Sequence, residues 1–356
     1  MFTLTNLIDS KDIYFRYFFT VVTTTIRGGI NLFLAFFLAK NLGVEAYGEF
    51  TFLIAAFTFC TYFLDMSSSS AFFTFTSQNT QSKRFIVTYA SWVLIQFLIV
   101  ISLLLIILPE TMLELFFVNN NRLLLILAFM GIFFKDYLWS ICSKLAEAQR
   151  ETIKSQIVNI LFVFIQLLVI ILLWKANYLT LELIFITFSF EWVIASILVA
   201  KLYKALPENQ NNKDENIKSI FNKFYIYCLP LVPFTLISVF YNFSDRWMLQ
   251  IWVGSTEQAY YNISHQISTI SILFTAAIIK IFWKEISEYN YNKEYNKIFN
   301  LFNSIYKFLF FISAFIAGIF LPWVAELIEI TLGDQYKDAY LTMFLLILYP
   351  IHQSLG

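Results

Sequence analysis

Seven ionisable side chains interrupt stretches that otherwise hold apolar and small residues: Arg27, Asp65, Lys135, Asp136, Glu191, Asp245 and Arg246. An ionised group in hydrocarbon costs a few kcal/mol, so such residues face a partner or a polar cavity. The three cations, Arg27, Lys135 and Arg246, are the candidates for gripping an anion, and guanidinium suits the bidentate recognition of phosphate oxygens. The four acids, Asp65, Asp136, Glu191 and Asp245, are candidate counter-charges or sites for a coupling proton or sodium ion. Lys135 and Asp136 are neighbours in sequence, as are Asp245 and Arg246. Adjacent residues on a helix point about 100° apart, so neither pair is neutralised by its own members alone.

Those charges need elements to carry them, and the composition says what kind. Apolar residues make up 59% of the 356 positions, aromatics 20% and charged residues 13%, with a mean hydropathy of +0.69. A soluble domain of this size cannot hide that much apolar surface. The apolar blocks are long and do not alternate, which predicts membrane-spanning helices rather than barrel strands, each about 20 residues long. Hydropathy places ten spans, at roughly 14–40, 48–76, 85–108, 122–147, 153–174, 178–203, 224–253, 257–283, 300–323 and 339–356. Residues 1–12 read as a short interfacial segment.

Counting about 1.5 Å of rise per residue from the outer turns puts Arg27 and Asp65 roughly 25 Å down, Lys135, Asp136 and Glu191 roughly 20 Å, and Asp245 with Arg246 roughly 13 Å. The charges therefore fall in tiers. Arg27 and Asp65, on consecutive antiparallel helices, are geometrically able to pair, and a packing salt bridge explains them as well as a ligand site does. Gly28 and Gly29 would let a neighbour come close beside Arg27. Thr23, Thr24, Thr25, Asn31, Ser67 to Ser70, Asn242 and Ser244 offer sugar-like partners, and ordinary helix packing accounts for the same residues.

Lys83, Arg84, Arg150, Lys154, Lys201, Lys204, Lys218 and Lys223 gather at alternate loops, which puts the N-terminus in the cytoplasm. The formal net charge is zero, from 24 basic and 24 acidic residues, so no nucleic-acid surface is implied. Three separated cysteines make neither a disulfide framework nor a metal site. No cofactor or phosphate-loop motif is present.

The polar stretch 204–223 divides the chain into an N-terminal six-helix bundle, 1–203, and a C-terminal bundle, 224–356. "NLGVEAYGEF" (41–50) and "WVGSTEQAYY" (252–261) align without gaps, matching Gly43 with Gly254, and Asn31 matches Asn242 at the same offset of 211 residues. Both decamers follow the first helix of a half, as an internal repeat requires. On that offset the second bundle is expected to lack its last two helices.

The segments "LAKNLGVEAYGEFTFLIAAFTFCTYFLDMSSSSAFF" (38–73) and "YCLPLVPFTLISVFYNFSDRWMLQIWVGSTEQAYYNISHQISTI" (227–270) resemble the Wzx-type polysaccharide (O-antigen) flippases of the multidrug/oligosaccharidyl-lipid/polysaccharide exporter superfamily. The likeness is sharpest at Leu42-Gly43 with Tyr47-Gly48, at Asp65 and its small neighbours, and at Pro230 with Asp245-Arg246-Trp247. It implies an all-α polytopic membrane protein with two helical bundles around a central cavity. By alternating access it would flip undecaprenyl-diphosphate-linked oligosaccharide to the outer leaflet of a bacterial inner membrane. Its partners would be the lipid-linked oligosaccharide, membrane lipids and polysaccharide assembly machinery.

Three other readings stay open, one of them a non-transporting assembly subunit or an inert fragment. A drug/cation antiporter of the same superfamily would lean on its acids. A membrane-embedded glycan polymerase or acyltransferase would need a large outer loop or a His–Asp pair, whereas the outer loops here are short and His265 and His352 are the only histidines.

Overall fold

The computed structural model describes residues 13–79, 81–117, 121–202, 216–268 and 293–355, together with Ile286 and Tyr289. The expected interfacial segment 1–12, most of the linker, and positions 269–283 of the expected eighth span lie outside the described residues. The described chain is helical throughout. Its elements are α1 (Ile13–Leu42), α2 (Val44–Asp65), α3 (Ser68–Gln78), α4 (Lys83–Ser102), α5 (Glu110–Phe117), α6 (Arg122–Ile132), α7 (Trp139–Ala148), α8 (Thr152–Lys175), α9 (Leu181–Leu202), α10 (Ile217–Cys228), α11 (Val232–Trp252), α12 (255–268), α13 (Tyr295–Phe320), α14 (Val324–Thr331) and α15 (Tyr340–Leu355). Seven of the described helical runs are long and apolar enough to cross a membrane, or eight with the bent pair α10 and α11 taken as one span. A span needs about 20 residues, and the last expected one holds a helix of 16 with Pro350 inside it.

Several helix ends are closed by side chains, as backbone groups cut off from water require. Ser82 Oγ accepts from Phe85 N at 3.2 Å and Asn121 Oδ1 from Leu124 N at 3.2 Å, both N-caps. Arg122 closes a C-terminus. After α4 the chain widens into a π-helical turn, Leu103–Ile107, and the Arg122 guanidinium donates to the carbonyls of Leu104, Leu105 and Leu108 at 3.0, 3.0 and 2.9 Å.

Packing divides the chain into two units, Met1–Asn31 with Phe50–Trp252, and Leu32–Glu49 with Val253–Gly356. In the first unit the core is aromatic. Phe57 stacks on Phe117 at 5.1 Å and meets Phe129 at 5.6 Å, and Phe72 stacks on Tyr89 at 4.1 Å. Gly131 lets α6 pass close to α9, since a Cβ there would stand 2.9 Å from the Phe185 carbonyl oxygen.

Two breaks in this unit depart from the straight spans expected at 48–76 and 224–253. The first falls at Met66 and Ser67, both in the left-handed region at φ 43° and 68°, so Asp65 ends α2 and the next four serines begin a new direction. The second lies at 229–231 between α10 and α11, which bend by 62°. Leu229 still donates to the Tyr225 carbonyl at 2.9 Å, but Pro230 has no N–H to donate, so the ladder stops there and restarts with α11.

In the second unit the end of α1 is held by the 3₁₀ segment Asp334–Ala339. Tyr336 Oη donates to the Ala39 carbonyl at 3.1 Å and Gln335 Nε2 to the Lys40 carbonyl at 3.0 Å. Gly48 lies against the Ser255 backbone so tightly that a Cβ would overlap its carbonyl oxygen, 1.7 Å away.

Candidate substrate site

Asp65 sits where α2 stops, and the break turns its carboxylate inward, leaving the residue 4% exposed. Oδ1 accepts from Ser68 Oγ at 2.7 Å, Ser69 N at 2.9 Å and Tyr137 Oη at 2.7 Å; Oδ2 accepts from Ser69 Oγ at 2.9 Å. The cluster extends outward. Tyr137 Oη also lies 2.7 Å from Gln96 Oε1, and Gln96 Nε2 donates to the Leu64 carbonyl at 3.0 Å. Lys144 Nζ donates to Ser69 Oγ at 3.1 Å, which brings a cation within one side chain of the carboxylate. Hydrogen bonds to a charged acceptor contribute about 1.5–3 kcal/mol each, so this cluster fixes the break.

Arg27 does not pair with Asp65, contrary to the geometry their matched depths allow. It is half-buried, and with the Asn159 amide oxygen turned toward it, that oxygen accepts from Arg27 Nη1 at 2.7 Å and from Trp139 Nε1 at 3.2 Å. The reason lies in the break: Asp65 faces α3, α4 and the segment carrying Tyr137, where four donors already hold it. Arg27 is thus held by a neutral amide, with Glu147 as the opposite charge acting on it. Beside it on α1, Thr23 Oγ1 donates to Gln156 Oε1 at 3.5 Å. No neighbour uses the expected space at Gly29, where nothing lies within 4 Å of a Cβ.

Lys135 and Asp136 fall in a second π-helical stretch, Phe133–Leu138. Asp136 is exposed and Lys135 lies over the Phe188 ring at 4.1 Å, with Asp136 the larger of the two opposite charges acting on it. Lys135 is the opposite charge acting on Glu191 of α9. Glu191 is buried, and among the described residues neither carboxylate oxygen has a hydrogen-bond partner; both amide atoms of Gln166, on the neighbouring α8, lack one there too. Asp245 is exposed and Arg246 half-buried on α11, and Asp245 Oδ1 accepts from the Arg246 backbone N–H at 2.8 Å.

The structure thus groups Lys135 with both Asp136 and Glu191, leaves Asp65 and Arg27 in separate clusters, and adds residues the sequence reading missed. The buried face of α8, Gln156, Asn159 and Gln166, is legible at helical spacing once α8 is known to pack inside the unit. Tyr137, Gln96 and Lys144 carry no such signal, because each joins the cluster from a distant part of the chain, Tyr137 at Asp65, Lys144 at Ser69 and Gln96 at the Leu64 carbonyl.

No family model and no curated relative matches the sequence. Among solved structures, the lipid II flippase MurJ in an inward closed conformation superposes with a TM-score of 0.66 at 16% identity, over 95% of this chain and 74% of that one. The Vibrio cholerae MATE transporter VcmN gives 0.56 at 13% identity, over 98% and 81%. This is likeness of fold. The chain is an all-helical protein with several candidate membrane spans and a fold like those of MurJ and VcmN.

Proposed function

We infer that the chain is a flippase that carries undecaprenyl-diphosphate-linked oligosaccharide from the cytoplasmic to the outer leaflet of a bacterial inner membrane for polysaccharide biosynthesis, by alternating access. The observation that carries this reading is Arg27. A guanidinium in a hydrocarbon-length helix, half-buried and hydrogen-bonded to a neutral amide, with Glu147 acting on it but in no salt bridge with it, keeps donors available for a diphosphate. Lys135 and Arg246 serve as further anion contacts, and Asp65, Asp136, Glu191 and Asp245 as counter-charges or sites for a coupling proton or sodium ion. Support for the coupling role comes from Glu191, whose carboxylate oxygens are unbonded. The superfamily fold is compatible with this reading and equally with drug/cation antiport.

On this reading the full set is ten spans in two bundles around a central cavity, with the N-terminus cytoplasmic, and the division 1–203, 204–223 and 224–356 follows the internal repeat rather than packing. The test is complementation of a bacterial strain lacking its own polysaccharide flippase. Export should return with the wild-type chain and be lost in Arg27→Ala and Arg246→Ala while membrane insertion stays intact. Normal export by both variants removes the site assignment; ethidium efflux without glycan export favours the antiporter.

A further inference from the structure

Within the first unit an apolar cavity of about 210 Å³ lies among the α2–α3 break, α4 and α10, walled chiefly by Tyr89, Trp92, Ile220, Phe224 and Cys228, with Asp65 and Ser68 also at its edge. That is roughly seven water volumes, room for a segment of one acyl chain but not a whole lipid. Phe221 and Tyr225, 54% and 62% exposed, also line this cavity and are shared with a more open hollow bounded by Asn216, Lys218, Ser219 and Asn222. The first space is almost wholly carbon-lined; the second, also largely apolar, adds the side chains of Asn216, Ser219 and Asn222 and one cation, Lys218, and the two meet at two aromatic rings.

The orientation follows from ring and hydroxyl contacts. Phe224 stacks on Phe85 at 5.4 Å and on Tyr89 at 5.6 Å. Farther along, Tyr227 meets Thr74 at 3.0 Å and Thr235 meets Ser67 at 2.6 Å. Because α3 runs opposite to α4, these contacts make α10 parallel to α4. The first turn of α10, with Lys218, therefore lies at the end of the unit where α4 begins with Lys83 and Arg84, and all three cations are exposed.

Charge decides the occupant. Asp65 is the acid at the cavity wall, and four protein donors already occupy its two oxygens, so an organic cation entering the cavity finds a carboxylate with little left to offer. Lys218 stands at the hollow, and the exposed Lys83 and Arg84 lie at the same end of the unit. The complementary molecule has an apolar tail and an anionic head, and the bilayer around these helices is a source of it.

We propose that this paired cavity and hollow is a binding site for an acidic glycerophospholipid, one acyl chain lying among Tyr89, Trp92 and Phe224 and the phosphate resting against Lys218 at the Arg84 end. The site is independent of the export reading, since its test reads lipid occupancy and not transport.

The experiment uses the full chain in phosphatidylcholine nanodiscs that carry a minority of phosphatidylglycerol with a photoactivatable acyl chain, followed by peptide mapping. Label should fall on the peptides holding Tyr89 to Trp92 and Ile220 to Cys228, and excess unlabelled phosphatidylglycerol should remove it. A basic residue near a membrane surface contributes about 1 kcal/mol toward an acidic lipid, so Lys218→Gln should weaken competition about fivefold, and Lys218→Gln with Arg84→Gln about twenty-five-fold. Both are exposed positions, so these variants test the head site without disturbing the core. Thr88→Trp, which fills the cavity, should abolish the label. Equal labelling by a phosphatidylcholine probe, indifference to both charge variants, or displacement by tetraphenylphosphonium in place of phosphatidylglycerol would overturn the proposal.

Discussion

At the level of single residues, the Asp65 carboxylate is the best-satisfied charge described in the first unit, and that makes it a stability determinant with a measurable signature. Removing an acceptor strands buried donors, at about 1–3 kcal/mol for each group left unsatisfied. Asp65→Ala strands the Ser68 hydroxyl and the Ser69 N–H and hydroxyl together, while Tyr137 keeps Gln96 as acceptor, and should lower unfolding free energy by about 3 kcal/mol or more. Tyr137→Phe removes one hydroxyl shared between Asp65 and Gln96, and should cost about 1–2 kcal/mol. Denaturant unfolding in detergent, followed by tryptophan fluorescence, checks both; equal midpoints for the two variants would show that the serines carry none of the load. The sequence announces Asp65 through the four serines that follow it. It is silent about Tyr137, 72 positions away, because the approach of one helix to another leaves no mark on either sequence when the contact is a single side chain. For the same reason matched depth brought Arg27 and Asp65 to one level but not into contact: depth is a rise along an axis, and pairing also needs the right azimuth.

Hydropathy makes most of the described spans legible because each must present apolar side chains over the thickness of a bilayer. Interruptions are harder to see, since a π-helical turn or a left-handed pair of residues changes direction without changing composition. Phe133–Leu138 is as hydrophobic at its ends as its neighbours and hides its widening completely, whereas Pro230 marks the second break openly. Glycine shows a comparable ambiguity, and here the structure separates two that look alike. Gly131 is required by the α6 and α9 crossing, where an added Cβ meets a backbone oxygen; Gly29 faces open space. Gly131→Ala should therefore destabilise by about 1–3 kcal/mol through enforced helix separation. Gly29→Ala should be neutral or stabilise by up to about 1 kcal/mol, through helix propensity. Thermal unfolding of both variants decides the matter, and a tolerated alanine at 131 would mean that the two helices separate at little cost.

Over the whole chain, the internal repeat and the packing units describe different things, and the difference carries a mechanical consequence. By repeat, the turn between α1 and α2 belongs to the N-terminal half; by packing, residues 32–49 belong with 253–356. Three observations tie that turn down: Tyr336 on the Ala39 carbonyl, Gln335 on the Lys40 carbonyl, and Gly48 against Ser255. Two of these satisfy carbonyls at the C-terminal end of α1, which otherwise find no partner inside the helix. Hydropathy could not foretell this, because the segment 334–339 and the α1 end are almost 300 residues apart and neither is apolar enough to advertise burial. If export proceeds by alternating access with the two repeat halves moving against each other, these contacts, which join the turn of one half to the other half, break once per cycle. A chain with Cys60, Cys142 and Cys228 replaced by serine and with Lys40→Cys and Gln335→Cys, joined by a short cleavable bis-maleimide, should then insert normally, lose export, and regain it when the linker is cut. Undiminished export with the linker in place would mean that this end of α1 stays on the 334–339 segment throughout the cycle, and the moving parts would have to be sought elsewhere in the molecule.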